Sequence, residues 1–266
     1  MRMMSRFPRE ALRASLMTAG LGICLATASP MAHAASLQVT PVIVQFQPSE
    51  QARSITLLNT GKEPLQAQVR VQRWTQEQGQ DRLTPADDVV ASPAIVRVAP
   101  GDRQIVRVVR RQPAAPAQEQ SFRLLVDELP SQAKPEHSGL TLLLRYSIPV
   151  FIVPAGVVAR APAGAAPTET NLDAVHARLV AGAPGTSNLL MRNDGPTHIR
   201  VSHLGLTSAN GQGRVLNDGL VGYVLPGNQM TWSVNVPSPL PAGQILKARF
   251  NDDREARPVP LDVASR

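Results

Sequence analysis

Residues able to do covalent or metal chemistry are few in this 266-residue chain, and their spacing does not favour it. Beyond the first 34 positions the histidines are His137, His176, His198 and His203. His198 and His203 lie five apart, so a single strand would point them to opposite faces. They read as surface or hairpin residues rather than metal ligands. The only cysteine, Cys24, is near the N-terminus, so no thiolate cluster can form. Neither a G-x-S-x-G elbow nor a phosphate-cradling glycine loop is present. The neighbouring acids Asp127-Glu128 and Asp252-Asp253 would alternate faces in a strand, and Asp87-Asp88 reads as a solvated loop. The expectation is a protein that is not an enzyme, with no catalytic residue, no metal and no cofactor.

The chemistry on offer is that of apolar contact and backbone hydrogen bonding. In the run from Leu140 to Ile152 every second residue is large and apolar: Leu140, Leu142, Leu144, Tyr146, Ile148, Val150 and Ile152. A period of two marks a strand with one apolar face. Pro149 interrupts the run and has no N–H to give to a ladder, which places the strand at a sheet edge or a bulge. A long apolar edge strand is an aggregation hazard, unless it is kept to pair with another chain. The pattern alone fits two readings equally: a face offered to a partner, or a face packed on the protein's own core.

The elements that would position this run begin with a targeting segment. Arg2, Arg6, Arg9 and Arg13 precede a mostly small and apolar stretch from Leu16 to Ala28, and Ala32-His33-Ala34 fits an A-x-A cleavage site. Residues 1–34 are expected to be a cleaved signal peptide. Its apolar core is shorter than the roughly 20 residues that span a bilayer. No later stretch is long and apolar enough to do so, so no membrane anchor is expected. Cleavage would remove Cys24, leaving a disulfide-free protein that must rely on a packed core. The formal net charge of +7 owes something to this leader, which holds four arginines and one glutamate. With two Tyr, two Trp and five Phe in the whole chain, basic patches interleaved with aromatics are absent, and no nucleic-acid partner is expected.

The remainder repeats a pattern. Ile55–Gly61 followed by Leu65–Val71 has the same order as Leu189–Gly195 followed by Ile199–Val201, each reading as strand, Asn-x-Gly turn, strand, and so as a β-hairpin. Val98-Ala99-Pro100-Gly101 and Val224-Leu225-Pro226-Gly227 each introduce an alternating strand. Two unlike motifs recurring in the same order indicate a duplicated β-domain. Residues 159–170, rich in Ala and Pro, are read as a linker between a domain at 35–158 and a second at 171–266. Leu172–Val180 could line a helix face but is read as a strand. The fold class expected is all-β: two Ig-like β-sandwiches in tandem with a cleft between them. Ser121–Leu129 should form an antiparallel hairpin with the alternating run. If Leu129 faces Leu140, Arg123 lies opposite Tyr146, to within about two residues.

Several features in order resemble a PapD-like periplasmic chaperone of the chaperone–usher pilus pathway. They are Leu37–Val44, the Leu58-Asn59-Thr60-Gly61 turn, Val98–Gly101 with Arg107, Phe122–Pro130, and the alternating strand ending in Pro149–Pro154. The resemblance implies that the protein works in the periplasm, binds pilus or fimbrial subunits and delivers them to an outer-membrane usher. Subunits of such pili are sandwiches lacking their last strand, and the chaperone completes them with its own edge strand. By position, Leu140, Leu142 and Leu144 would enter the subunit's pockets, with Tyr146 and Ile148 continuing that face. The best-known branch grips the subunit's terminal carboxylate with an arginine and a lysine, whose matching positions here are Pro41 and Pro149. The Thr40-Pro41 and Tyr146–Phe151 context is more similar to the archaic branch, in which the anchor is expected elsewhere. Arg123 is the first candidate and Arg145 the reserve. A free chaperone of this kind can hide its edge by self-association. The competing reading is a structural or adhesive Ig-like surface protein, such as a pilus component.

Overall fold

The computed structural model describes residues 37–112, 114–130, 142–157, 169–208 and 211–262. The expected signal peptide, Leu140 and most of the expected linker lie outside the described residues. Every regular element described is a strand. The first ten are β1 (Leu37–Thr40), β2 (Val44–Phe46), β3 (Ala52–Asn59), β4 (Leu65–Glu77), β5 (Gln80–Pro85), β6 (Val89–Ser92), β7 (Ile95–Val98), β8 (Arg103–Arg110), β9 (Gln120–Leu129) and β10 (Arg145–Ile152). They make two sheets, one ordered β1-β3-β8-β6 and the other β2-β10-β9-β4-β5, with β7 added on β4. Alternate residues such as Ile55, Leu57, Val106, Phe122, Leu124, Val126, Ile148 and Val150 fill the space between them. This is sandwich packing, in which each strand gives every second side chain to the core.

The next seven strands are β11 (Val175–Ala181), β12 (Ser187–Asn193), β13 (Ile199–Ser208), β14 (Gly213–Val224), β15 (Asn228–Val234), β16 (Gln244–Phe250) and β17 (Arg257–Pro258). Their sheets run β11-β12-β15 and β14-β13-β16-β17, around a core that includes Leu189, Met191, Val201, Leu204 and Phe250. The segment that could have been a helix is β11, paired to β12 along its full length. Both sandwiches belong to one compact unit.

Two sequence expectations need correction. The Asn-x-Gly turns do not close hairpins. β3 pairs with β1 and β8, whereas β4 pairs with β5, β7 and β9 in the opposite sheet. β12 and β13 are separated in the same way. The reason is that the asparagine turns inward. Asn59 is fully buried; its amide donates to the carbonyls of Glu63 at 2.8 Å and Val98 at 3.0 Å, and its Oδ1 accepts from Gly61 N–H at 2.9 Å. Asn193 repeats this with Thr197 at 2.8 Å, Val224 at 3.0 Å and Gly195 at 2.9 Å. The Pro-Gly turns return the contact, with Gly101 N–H donating to Asn59 O and Gly227 N–H to Asn193 O. The two recurring sequence motifs are therefore one device in each sandwich, an asparagine corner stapled to a Pro-Gly turn. Gly101 and Gly227 have φ of 75° and 72°, which a side-chain-bearing residue rarely adopts.

The second correction is register. β9 and β10 are antiparallel neighbours as expected, but Arg123 faces Pro149 and Tyr146 faces Val126, a shift of three positions beyond the stated tolerance. The regular ladder begins only at Arg145, so turn length could not be inferred by pairing Leu129 with Leu140.

Leaving a buried donor or acceptor unmatched costs about 1–3 kcal/mol. Asn59→Ala should therefore lower the unfolding free energy by about 2–4 kcal/mol, and Asn193→Ala by a similar amount, in urea titrations. A loss below about 0.5 kcal/mol at both positions would show the staple to be dispensable.

Candidate functional site

β10 has two unlike halves. At its C-terminal end Val150, Phe151 and Ile152 pair with β2 in parallel on one side and with β9 on the other. Val150 and Ile152 enter the sandwich core, whereas Phe151 points the other way and meets the second sandwich. At its N-terminal end β2 is missing, so among the described residues 145–149 have a ladder partner on the β9 side only. The apolar row changes along this margin. Ile148 is 3% exposed, Tyr146 and Leu144 are half-buried against the core, and Leu142 is 72% exposed beside Leu143 at 47%. The Tyr146 hydroxyl donates to the Leu37 carbonyl of β1, which ties the two sheets together at the seam where the margin opens. Burial, and more weakly the charge of Glu128, raises the Tyr146 phenol above its ordinary pKa, so it stays a neutral donor.

The outward face of the same sheet meets the second sandwich around aromatic rings. His198 stacks on Phe151 with centroids 3.6 Å apart and planes within 10°, and Tyr223 meets Trp74 edge-on at 5.4 Å. Polar groups fix the joint. Gln76 of β4 donates to Tyr223 O at 2.8 Å and accepts from Leu225 N–H at 2.8 Å. The Glu119 carboxylate, wholly buried, accepts from His198 N–H at 2.9 Å and lies 2.9 Å from His198 Nδ1. Gly79, at the tip of the β4–β5 turn, forms a bridge with Met230 of β15. His198 is thus part of the joint, rather than the surface or hairpin residue expected. Spacing in sequence could not reveal a partner 79 residues away. His203 does sit on the surface, where it faces Asp218. Among the described residues no cluster of three His, Cys, Asp or Glu is placed to hold a metal ion.

Arg123 lies in this cleft. Its side chain is 14% exposed, and its guanidinium sits 3.6 Å above the Trp74 ring and 5.4 Å from the Tyr223 ring. Burial pulls its pKa below the ordinary value, while the charges of Asp81 and Tyr223 act in the opposite direction. An arginine remains protonated through such a shift. The reserve candidate, Arg145, is two-thirds exposed and already engaged: it and Arg70 both bind the buried Asp127 carboxylate, Arg70 at 2.6 Å. The residues that surround Arg123 from the second sandwich, above all Tyr223, were missed in the sequence. Their only local signal was a tyrosine just before the Val224–Gly227 turn.

A two-sandwich protein with one strand margin open beside a cationic inter-sandwich cleft has the fold of the pilus chaperones. Residues 36–158, the first sandwich, match the family described as pili and flagellar-assembly chaperone, PapD N-terminal domain. Its structure is similar to that of the CsuC–CsuE chaperone–tip adhesion subunit complex from archaic chaperone–usher Csu pili of Acinetobacter baumannii. The TM-score is 0.61 at 22% identity, with 85% of this chain and 98% of that one covered. It also resembles the Salmonella enterica SafA pilin–SafB chaperone complex (TM-score 0.55, 16% identity, 82% and 92% covered). The Pseudomonas aeruginosa CupB2 chaperone is a third (TM-score 0.51, 16% identity, 83% and 97% covered). At these identities the likenesses establish the fold. No curated sequence matches the chain.

Burial raises the Asp127 carboxyl, but the hydrogen bonds and charges of Arg70 and Arg145 outweigh it and hold the pKa below the ordinary aspartate value. A depressed folded pKa gives stability that is complete above the ordinary aspartate range and is lost as pH falls from that range through the lower folded value. Asp127→Asn should therefore be less stable than the wild type at neutral pH, and the gap should close in acid. Urea unfolding at a series of pH values measures this; a gap that widens in acid would contradict it.

Proposed function

We propose that the protein acts in the periplasm, after removal of residues 1–34, as a chaperone that completes unfinished pilus or fimbrial subunits with the N-terminal half of β10 and hands them to an outer-membrane usher. The reading is of binding, not of an enzyme. The observation that supports it most is the early end of β2. β2 covers only Val150–Ile152, and among the described residues no strand pairs with 145–148 on that side, which supports offering their backbone groups to a partner's strand. Donor-strand complementation is a case of strand addition, in which main-chain bonds give affinity and alternate side chains give specificity.

The apolar row gives the donor its gradient. Leu142 is exposed and free to enter a subunit groove, Leu144 and Tyr146 sit at the boundary, and Ile148 anchors the strand in its own core; Leu140, outside the described residues, is proposed as a further donor side chain on its place in the sequence alone. A subunit docked here would extend the chaperone's core across the seam. Arg123 is the proposed seat for the subunit's terminal carboxylate. It lies cross-strand from Pro149, one of the two positions where the best-known branch carries its basic residues, so a guanidinium from β9 can serve the same cleft. Arg145 is committed to Asp127 and is the weaker candidate. The prolines at 41 and 149 favour the archaic branch.

Burying one leucine is worth roughly 1.5–3 kcal/mol, or about ten- to a hundred-fold in affinity. Leu142→Asp should abolish subunit co-purification from periplasm while leaving the melting temperature of the free chaperone unchanged, because the side chain is exposed. Ile148→Asp should instead unfold the first sandwich. Undiminished subunit recovery with Leu142→Asp would refute strand donation. Arg123→Ala should lose subunit binding as measured by the same co-purification; binding that persists would dismiss the anchor but not the donor strand.

A further inference from the structure

Arg123 faces the Asp81 carboxylate at an unusual distance. Asp81 Oδ2 lies 3.9 Å from Arg123 Nη2, beyond the 2.7–3.2 Å of a hydrogen bond. The separation follows from how Asp81 is held. Asp81 pairs with Gln76 across the β4–β5 hairpin, and its Oδ1 accepts from Gln76 Nε2 at 2.9 Å. That same nitrogen donates its other proton to Tyr223 O at 2.8 Å, and Gln76 Oε1 is taken by Leu225 N–H. An amide has two N–H donors, and both are used. The Gln76 side chain is thus immobilised by the backbone of the second sandwich, and Asp81 is immobilised by Gln76. Closing on Arg123 would draw the carboxylate away from its bond to Gln76.

The guanidinium is held as well, with its central carbon 3.6 Å from the centre of the Trp74 ring and 5.4 Å from that of Tyr223. Its face is occupied by a ring, but no hydrogen bond to its N–H edge is formed by Asp81. A planar N–H fork with a stacked face is the arrangement that receives a carboxylate bidentately. Asp81 therefore supplies charge balance without filling the seat. A bare buried arginine would be costly in the free protein and would grip any carboxylate tightly; a neighbouring anion moderates both effects.

We propose that Asp81 sets the affinity of the Arg123 seat: held just out of hydrogen-bonding reach by Gln76, it weakens the grip on a partner's terminal carboxylate so that the complex stays reversible. This rests on the reading of Arg123 as the carboxylate anchor. Asp81 is 45% exposed on its side chain, and asparagine can keep the bond to Gln76 through its amide oxygen, so Asp81→Asn should fold. Asp81→Ser gives a second neutral side chain if it does not.

The probe is an N-acetylated pentapeptide of alternating Val and Thr with a free C-terminal carboxylate, compared with the same peptide amidated, titrated calorimetrically into the full chain without residues 1–34. Wild type should bind the acid more tightly than the amide. Asp81→Asn should tighten acid binding about ten-fold, or about 1.4 kcal/mol, and leave amide binding unchanged. If wild type shows an acid preference that Arg123→Ala removes, yet Asp81→Asn leaves acid affinity unchanged or weaker, the role of Asp81 is overturned and the anchor stands. If wild type and Arg123→Ala bind acid and amide equally, the anchor fails and the role of Asp81 fails with it.

Discussion

The packing of Phe151 against His198 and Trp74 is the interaction on which the rest of this molecule depends. Phe151 belongs to β10, and its neighbours Val150 and Ile152 project the opposite way into the first core. One end of β10 is thereby buried on both faces, held along both edges and locked to the second sandwich. The other end inherits rigidity from this grip without being covered itself. A strand margin that is open yet fixed in direction can act as a template, whereas a loose one would invite indiscriminate pairing.

The same joint builds the cleft. Trp74 contacts Phe151, Tyr223 and Arg123 at once, and Gln76, two residues along the same face of β4, ties the backbone of the second sandwich to the first. The cationic seat is accordingly not the property of one domain. Ring, counter-charge and guanidinium come from β4, β5 and β9, and the far wall comes from β14. Any change in the angle between sandwiches would alter the surroundings of Arg123, which connects the geometry of the joint to the strength of binding.

The all-β class, the tandem sandwiches and the alternating apolar run were legible in the sequence because period-two alternation and Pro-Gly turns are local signals. Leu140–Ile152 announces its apolar face without reference to any partner. The register of that strand was not legible, since it depends on where the ladder ends rather than on which residues alternate. Nor was the inward turn of Asn59 and Asn193, because an Asn-x-Gly stretch looks alike whether its amide meets solvent or a carbonyl 39 residues away. Arg123 could be placed near the donor strand by hairpin logic, but its aromatic neighbours could not. Tyr223 stands 100 residues from Arg123, and His198 pairs with an acid from the other sandwich. Contacts of that span leave no periodic trace.

The asparagine staples have a bearing on how the two sandwiches came to differ. In the first, the corner amide reaches a carbonyl 39 residues on; in the second, the equivalent reach is 31 residues. Loop closure depends only weakly on length, so a cross-link of this kind tolerates insertions between its ends. The longer interval accommodates β5 and β6, and β5 contributes to the arm that bears on the second sandwich. A clasp that recurs with intervals of different length lets one sandwich carry more chain than the other within the same frame. Here the extra length ends in a turn whose Gly79 abuts Met230, so the surplus chain of one half serves as a strut against the other.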